Sequence, residues 1–158
     1  MSFELINPQG LEKPVGYAHV AKVTSGKPAY IAGQAPFDEK GNVVGKGDFL
    51  AQFRQVMKNL KRAVEGAGGK PTQVAVMTMY VTDVQAFLDN RKPAGEAYTE
   101  VFGKHFPAIT LVEVTRLWNK DCMVEISGIA VLSGVQVSRK SRSAATLPVA
   151  GSSTTTSA

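Results

Sequence analysis

Glu125 is the residue whose surroundings most need a chemical explanation. It stands inside the apolar run 123–132, where an ionised carboxylate is costly unless it is paired or hydrogen-bonded. Two chemistries fit: a base that orients water, or a structural glutamate paired with a lysine or arginine across a contact between copies. His19 follows Tyr17 by two positions and suits either a proton shuttle or a hydrogen-bonded interface histidine. His105 follows a helix-like stretch and reads as a surface or C-capping residue. Phe37, Ile109, Leu111 and Trp118 would line an apolar pocket if they converged, and otherwise serve core or interface packing. Cys122 is the one cysteine, and no motif supplies it with a base, so a buried structural thiol is expected. One cysteine and two histidines exclude an intrachain disulfide and argue against a metal site. Gly66-Ala67-Gly68-Gly69 comes after a helix and before a strand, which makes it a helix-ending turn rather than a phosphate loop.

These residues need elements to hold them. Apolar residues at three- and four-residue spacing (Phe49, Phe53, Val56, Met57, Leu60, Val64) predict a helix over 49–65. Asp48 is its expected N-cap. A second helix is predicted over 93–104, with Pro93 in its first turn and Ala97, Val101 and Phe102 inward. Runs at 18–23 and 28–33, separated by Ser25-Gly26-Lys27, read as a hairpin. Residues 72–82 read as a strand with one slip of parity, the mark of a bulge or of burial on both faces. Runs at 110–114 and 123–132 read as a second antiparallel hairpin. The order is β-β-α-β-α-β-β, an α+β two-layer fold with the helices on one sheet face. The other face carries more apolar residues than water tolerates, which predicts an oligomer.

The 158 residues suit one domain, expected over 1–137. Residues 138–158, rich in Ser, Thr and Ala, are expected to be a disordered tail. The net charge of +5 includes three cations in that tail, where no acid stands, so the remainder is near balance. No interleaving of basic and aromatic residues suggests base stacking, and no nucleic-acid partner is expected. The N-terminal residues lack a signal-peptide pattern and no apolar run is long enough to span a bilayer. A cytoplasmic chain with no membrane partner is expected.

Several strings, in order along the chain, resemble those of the Rid (YjgF-type) family. They are Gly16-Tyr17-Ala18-His19-Val20, Tyr30-Ile31-Ala32-Gly33-Gln34-Ala35-Pro36, the helix residues Gln52 and Asn59-Leu60, Thr78 to Asp83, Pro107-Ala108, Val112-Glu113-Val114 and Val124-Glu125-Ile126. The resemblance covers about residues 14–132 and implies a chorismate-mutase-like fold. It also implies a homotrimer with small-molecule clefts between subunits, and imine or enamine hydrolysis without a cofactor. It places Glu125 and the backbone carbonyl of Leu111, expected on the neighbouring strand, around the attacking water. Tyr17 falls at the cleft tyrosine, Gly33 and Gln34 at the pocket-lining strand end, and Asn90 near a cleft asparagine. His19, Phe37 and Trp118 join these as candidate binding residues. The family's carboxylate-binding arginine is replaced by Ile109, which cannot form a guanidinium clamp. The expected substrate is therefore not a standard 2-iminoacid. The alternative is a non-catalytic trimer that binds a small molecule or a protein. The ribonuclease activity attached to the family's older name gains nothing from the near-neutral core.

Overall fold

A computed structural model describes residues 2–133. The expected tail, and the expected domain end at 137, lie outside the described residues. The strands are β1 (Phe3–Ile6), β2 (Val20–Val23), β3 (Lys27–Gln34), β4 (Val74–Val81), β5 (Ala108–Glu113) and β6 (Val124–Leu132). The helices are α1 (Phe49–Gly66), α2 (Val84–Asp89) and α3 (Arg91–Phe102), and a short 3-10 turn precedes β4 at Pro71–Gln73.

The apolar stripe of α1 is the centre of the core. Phe53, Val56, Met57, Leu60 and Val64 are at most 2% exposed and meet Met77, Met79 and Val81 of β4 and Val124 and Ile126 of β6. Full burial of each such side chain stabilises by about 1.5–3 kcal/mol relative to exposure. Asp48 caps the helix by accepting from the Ala51 N–H at 3.0 Å. At the other end Gly68 takes a φ of 82° while its N–H donates to the Glu65 carbonyl, the left-handed stop that glycine permits. In α3, Ala97 and Phe102 are buried and Pro93 stands in the first turn, where its missing N–H costs no helical bond.

Gln52 is fully buried within this apolar stripe. Its Nε2 donates to the Asp121 carbonyl at 2.7 Å and to the Gly45 carbonyl at 3.2 Å. Its Oε1 accepts from the Met123 N–H at 2.7 Å. One amide thus joins α1 to the start of β6, two residues before Glu125.

The strand pairing differs from both expected hairpins. The larger sheet has the order β3-β6-β4-β5, and β1 pairs with β2 in a separate two-stranded sheet. β2 therefore does not pair with β3, and β5 does not pair with β6. Instead β5 runs parallel to β4, while β6 is antiparallel to both β3 and β4. The reason lies in burial: β6 buries every second residue, including Gly128 and Ala130, and those small residues suit a central strand. A Cβ on Gly128 would lie 3.0 Å from the Val76 carbonyl oxygen, so glycine permits the close approach to β4. The parity slip in β4 is a bulge, for its register against β6 shifts between Val74 and Val76. Beyond the bulge Met77, Met79 and Val81 face the helices.

Among the described residues the opposite face of the sheet is covered at one end only. There Phe3 of β1 packs on Ala75 and Val131. Elsewhere it presents Ile129 and Tyr80, half-buried, and Tyr30, 79% exposed. His105 is not a free surface residue, and its backbone N–H closes the C-terminal end of α3 by donating to the Phe102 carbonyl at 3.2 Å. Its Nε2 hydrogen-bonds the Val74 carbonyl at 2.6 Å and its ring meets Phe3 edge-on.

Candidate functional site

The expected site residues fall into two groups on the chain. The first surrounds Glu125, which sits opposite Tyr80 of β4, on the sheet face turned away from the helices. Beside it β3 is irregular between Ile31 and Gln34, and Gly33 lies in that irregular stretch. A Cβ built on Gly33 would overlap Glu125 Oε1 and come within 2.8 Å of its Cδ. The glycine is therefore what gives the carboxylate its place. Glu125 forms no ion pair among the described residues. A hollow of about 650 Å³ opens here, lined by Gly33, Gln34, Phe37, Asn59, Trp118 and Glu125. Trp118 is 94% exposed and stands at the rim rather than inside.

The loop that floors this hollow is held from α1. Asn59 Nδ2 donates to the carbonyls of Ala35 and Phe37 at 3.0 and 2.9 Å. Gln55 Nε2 donates to the Phe37 carbonyl at 3.2 Å and to Asn59 Oδ1 at 3.0 Å. These two positioning residues were not singled out for the site from sequence. Their signal was a pair of amides one helical turn apart, flanking the apolar stripe.

The second group lies at the β5 edge. Ile109 and Leu111 pair with Met77 and Met79, so their side chains share the helix-facing side of the sheet. Ile109 borders a chamber of about 980 Å³ whose walls include Phe53, Met79 and Phe87. The 16–19 segment docks beside β5 through the Ala18 N–H, which donates to the Pro107 carbonyl at 2.9 Å. Tyr17 donates its hydroxyl to Glu12 Oε1 at 2.9 Å, and that hydrogen bond raises the phenol's pKa above its ordinary value. His19 Nε2 meets the Glu12 carbonyl at 2.8 Å, and its ring packs edge-on to Tyr17. Asn90 joins α2 to α3 with its Nδ2 donating to the Ala86 carbonyl at 2.9 Å, between Leu88 and Arg91 of the chamber wall.

One expectation needs correcting. Leu111 is not on the strand next to Glu125, because β4 lies between β5 and β6. Two strand spacings separate them by about 9–10 Å. Glu125 and the Leu111 carbonyl of one chain cannot hold one water, and only a second copy could bring them together. Phe37 and Trp118 likewise do not converge with Ile109 and Leu111 on one pocket.

Cys122 is buried, and desolvation, followed by the charges of Glu125 and Asp121, pushes its thiol pKa up. A nucleophile needs the opposite shift. Among the described residues no group of three or more His, Cys, Asp or Glu is placed to hold a metal ion. No helix among them is long and apolar enough to cross a membrane.

A four-stranded mixed sheet backed by α1 and α3, with a carboxylate on its open face, defines an α+β protein of the YjgF fold. Residues 11–132 match the family described as Endoribonuclease L-PSP, and the chain belongs to that family, also known as Rid or YjgF. It is 39% identical to a RutC family protein of Pyrococcus horikoshii over 128 residues, 80% of this chain and 96% of that one. Among solved structures, the Rid family protein YyfB of Yersinia pestis superposes with a TM-score of 0.76 at 30% identity. That match covers 84% of this chain and all of the other. RidA of an Antarctic Psychrobacter species gives a TM-score of 0.58 at 28% identity, covering 84% and 99%.

Proposed function

We propose that the chain is a divergent Rid-family hydrolase that deaminates an imine or enamine intermediate, working as a homotrimer. The observation that carries this reading is the Glu125 carboxylate, given room by Gly33 in an open hollow and left without an ion-pair partner among the described residues. A carboxylate so placed can accept a proton from water as the water oxygen adds to the C=N carbon. The nitrogen takes up a proton, and the resulting carbinolamine collapses to a carbonyl with loss of ammonia or an amine. No cofactor enters this sequence. Separation of the two residue groups on one chain favours an assembly in which Glu125 of one copy faces Tyr17, Ile109 and the Leu111 carbonyl of another. The uncovered sheet face, with Tyr30 and Ile129, supports such an assembly. The near-balanced charge of residues 1–137 fits a small-molecule substrate in a cytoplasmic setting better than a nucleic acid.

Ile109 sets the substrate class. With Phe53 and Met79 beside it, the place of the missing arginine is apolar, and a carboxylate adjacent to the C=N carbon would be desolvated without a partner there. The test compares hydrolysis of a freshly generated 2-iminoacid with that of a matched imine lacking the carboxylate. Acceleration of the neutral imine, lost in Glu125→Gln, is the expected result. Preference for the 2-iminoacid overturns the apolar reading. A second reading, a trimer that binds without turnover, is favoured by the same loss of the arginine. It predicts ligand affinity unchanged by Glu125→Gln.

A further inference from the structure

We propose that the chamber between the α2–α3 segment and β4–β5 binds an apolar carboxylate, with its hydrocarbon body on Phe53, Phe87 and Ile109 and its anionic end at Arg91. The chamber holds about 980 Å³, room for a body of ten or so heavy atoms, and its floor is apolar. Its charged groups are confined to α3. Glu100 is matched by Arg54 at 3.5 Å, and Lys92 has Glu96 one helical turn ahead of it, although no ion pair joins the two among the described residues. Arg91 differs from both. The residues three and four ahead of it are Ala94 and Gly95, so no acid follows on its face of the helix. It is exposed and forms no ion pair among the described residues. A planar guanidinium at the mouth of an apolar chamber suits a carboxylate, which it can hold by two parallel hydrogen bonds. Arg116 is exposed on the loop after β5 and is not part of the chamber wall.

Gly95 is an independent indication that something occupies the space. It lies inside α3 and borders the chamber. A glycine there costs about 1 kcal/mol relative to alanine. Among the described residues nothing lies within 4 Å of where its Cβ would be, and its φ is not positive, so neither packing against them nor backbone conformation requires it. The missing side chain leaves open the surface one turn beyond Arg91, on the face a bound ligand would cover.

This binding goes beyond the proposed hydrolysis and does not depend on turnover. Together the two describe a substrate whose carboxylate is separated from its C=N bond by an apolar spacer. The test is calorimetric titration of the full chain with octanoate and with octanamide. Octanoate is expected to bind at least tenfold more tightly than octanamide. Arg91→Gln should remove that preference without weakening octanamide, and Arg91→Lys should keep part of it. Gly95→Leu, a change that favours the helix, should weaken both probes by narrowing the chamber one turn beyond Arg91. Equal affinity for the two probes, or a preference that survives Arg91→Gln, overturns the proposal. So does binding of neither probe, the result expected if a second copy of the chain covers the chamber. Failure of hydrolysis with octanoate binding intact would count against the proposed activity alone.

Discussion

Replacing Gln52 by leucine removes three hydrogen bonds at once while nearly conserving volume. The carbonyls of Gly45 and Asp121 lose their donor and the Met123 N–H loses its acceptor. Each lost bond costs about 1 kcal/mol where water can replace the partner, and up to about 3 where it cannot. Gly45, Asp121 and Met123 are each half-buried, which puts the three near the lower figure, at about 3–5 kcal/mol together. Leucine returns about 1–2 kcal/mol through burial of its apolar surface. The expected net loss is about 1–4 kcal/mol. With a urea slope of about 2 kcal/mol/M, a loss of 3 kcal/mol moves the unfolding midpoint down by about 1.5 M. The assay is urea unfolding at one fixed protein concentration, because assembly would couple stability to concentration. Gln52→Glu sharpens the test. It keeps the acceptor for Met123 but loses both donors and buries a charge, so its folded pKa should rise above the unfolded value of about 4.3. Such a group contributes most when protonated. The variant should lie closest to the wild type below about pH 4 and fall away as pH rises through its folded pKa. A Gln52→Leu protein within 0.5 kcal/mol of the wild type would refute the idea that this amide fastens β6 to α1.

Gly33→Ala should leave stability within about 1 kcal/mol, since the φ of Gly33 is not positive, yet lower any Glu125-dependent turnover by about 100-fold through displacing the carboxylate. Unchanged turnover in that variant would separate Glu125 from the chemistry. Cys122 should react with a thiol reagent far more slowly than a free cysteine at pH 8, and at the ordinary rate in denaturant. Asp38, which accepts from the backbone N–H groups of Asn42 and Lys40, and Asp121, beside Lys46, are both held below the usual carboxylate range. Their contributions to stability should be complete above about pH 4 and decline as pH falls through the folded values. Carboxyl carbon shifts followed by NMR check this, and a midpoint for either group at or above 3.8 would contradict the geometry.

The helices were legible in the sequence because their signals are local. The stripe from Phe49 to Val64 and the Asp48 cap are read within a few residues of themselves, and the structure keeps both. Strand pairing is not local. Two short connectors suggested two hairpins, but the choice of neighbour was made by the small alternating residues of β6, which need a strand on each side. β1 and α2 escaped notice for being four and six residues long. At the site, Glu125 stood out because a charge in an apolar strand is conspicuous. The matching hole at Gly33 became visible only once β3 and β6 were aligned. Arg91 carried no signal in the sequence, because its place on the wall of the chamber bordered by Ile109 depends on how α3 packs.

The strand order also bears on how the chain reaches its fold. β6 is the last strand among the described residues and occupies the slot between β3 and β4, so until it is made those two have no neighbour in common. Closing the sheet joins residue 27 to residue 132, a contact spanning most of the described length. Contacts of such separation make folding slow. Any chain cut before Val124 would keep two adhesive strand edges and lose Val124 and Ile126 from the cover of the apolar stripe of α1. A premature stop in the gene should therefore give an insoluble fragment rather than a shorter working protein.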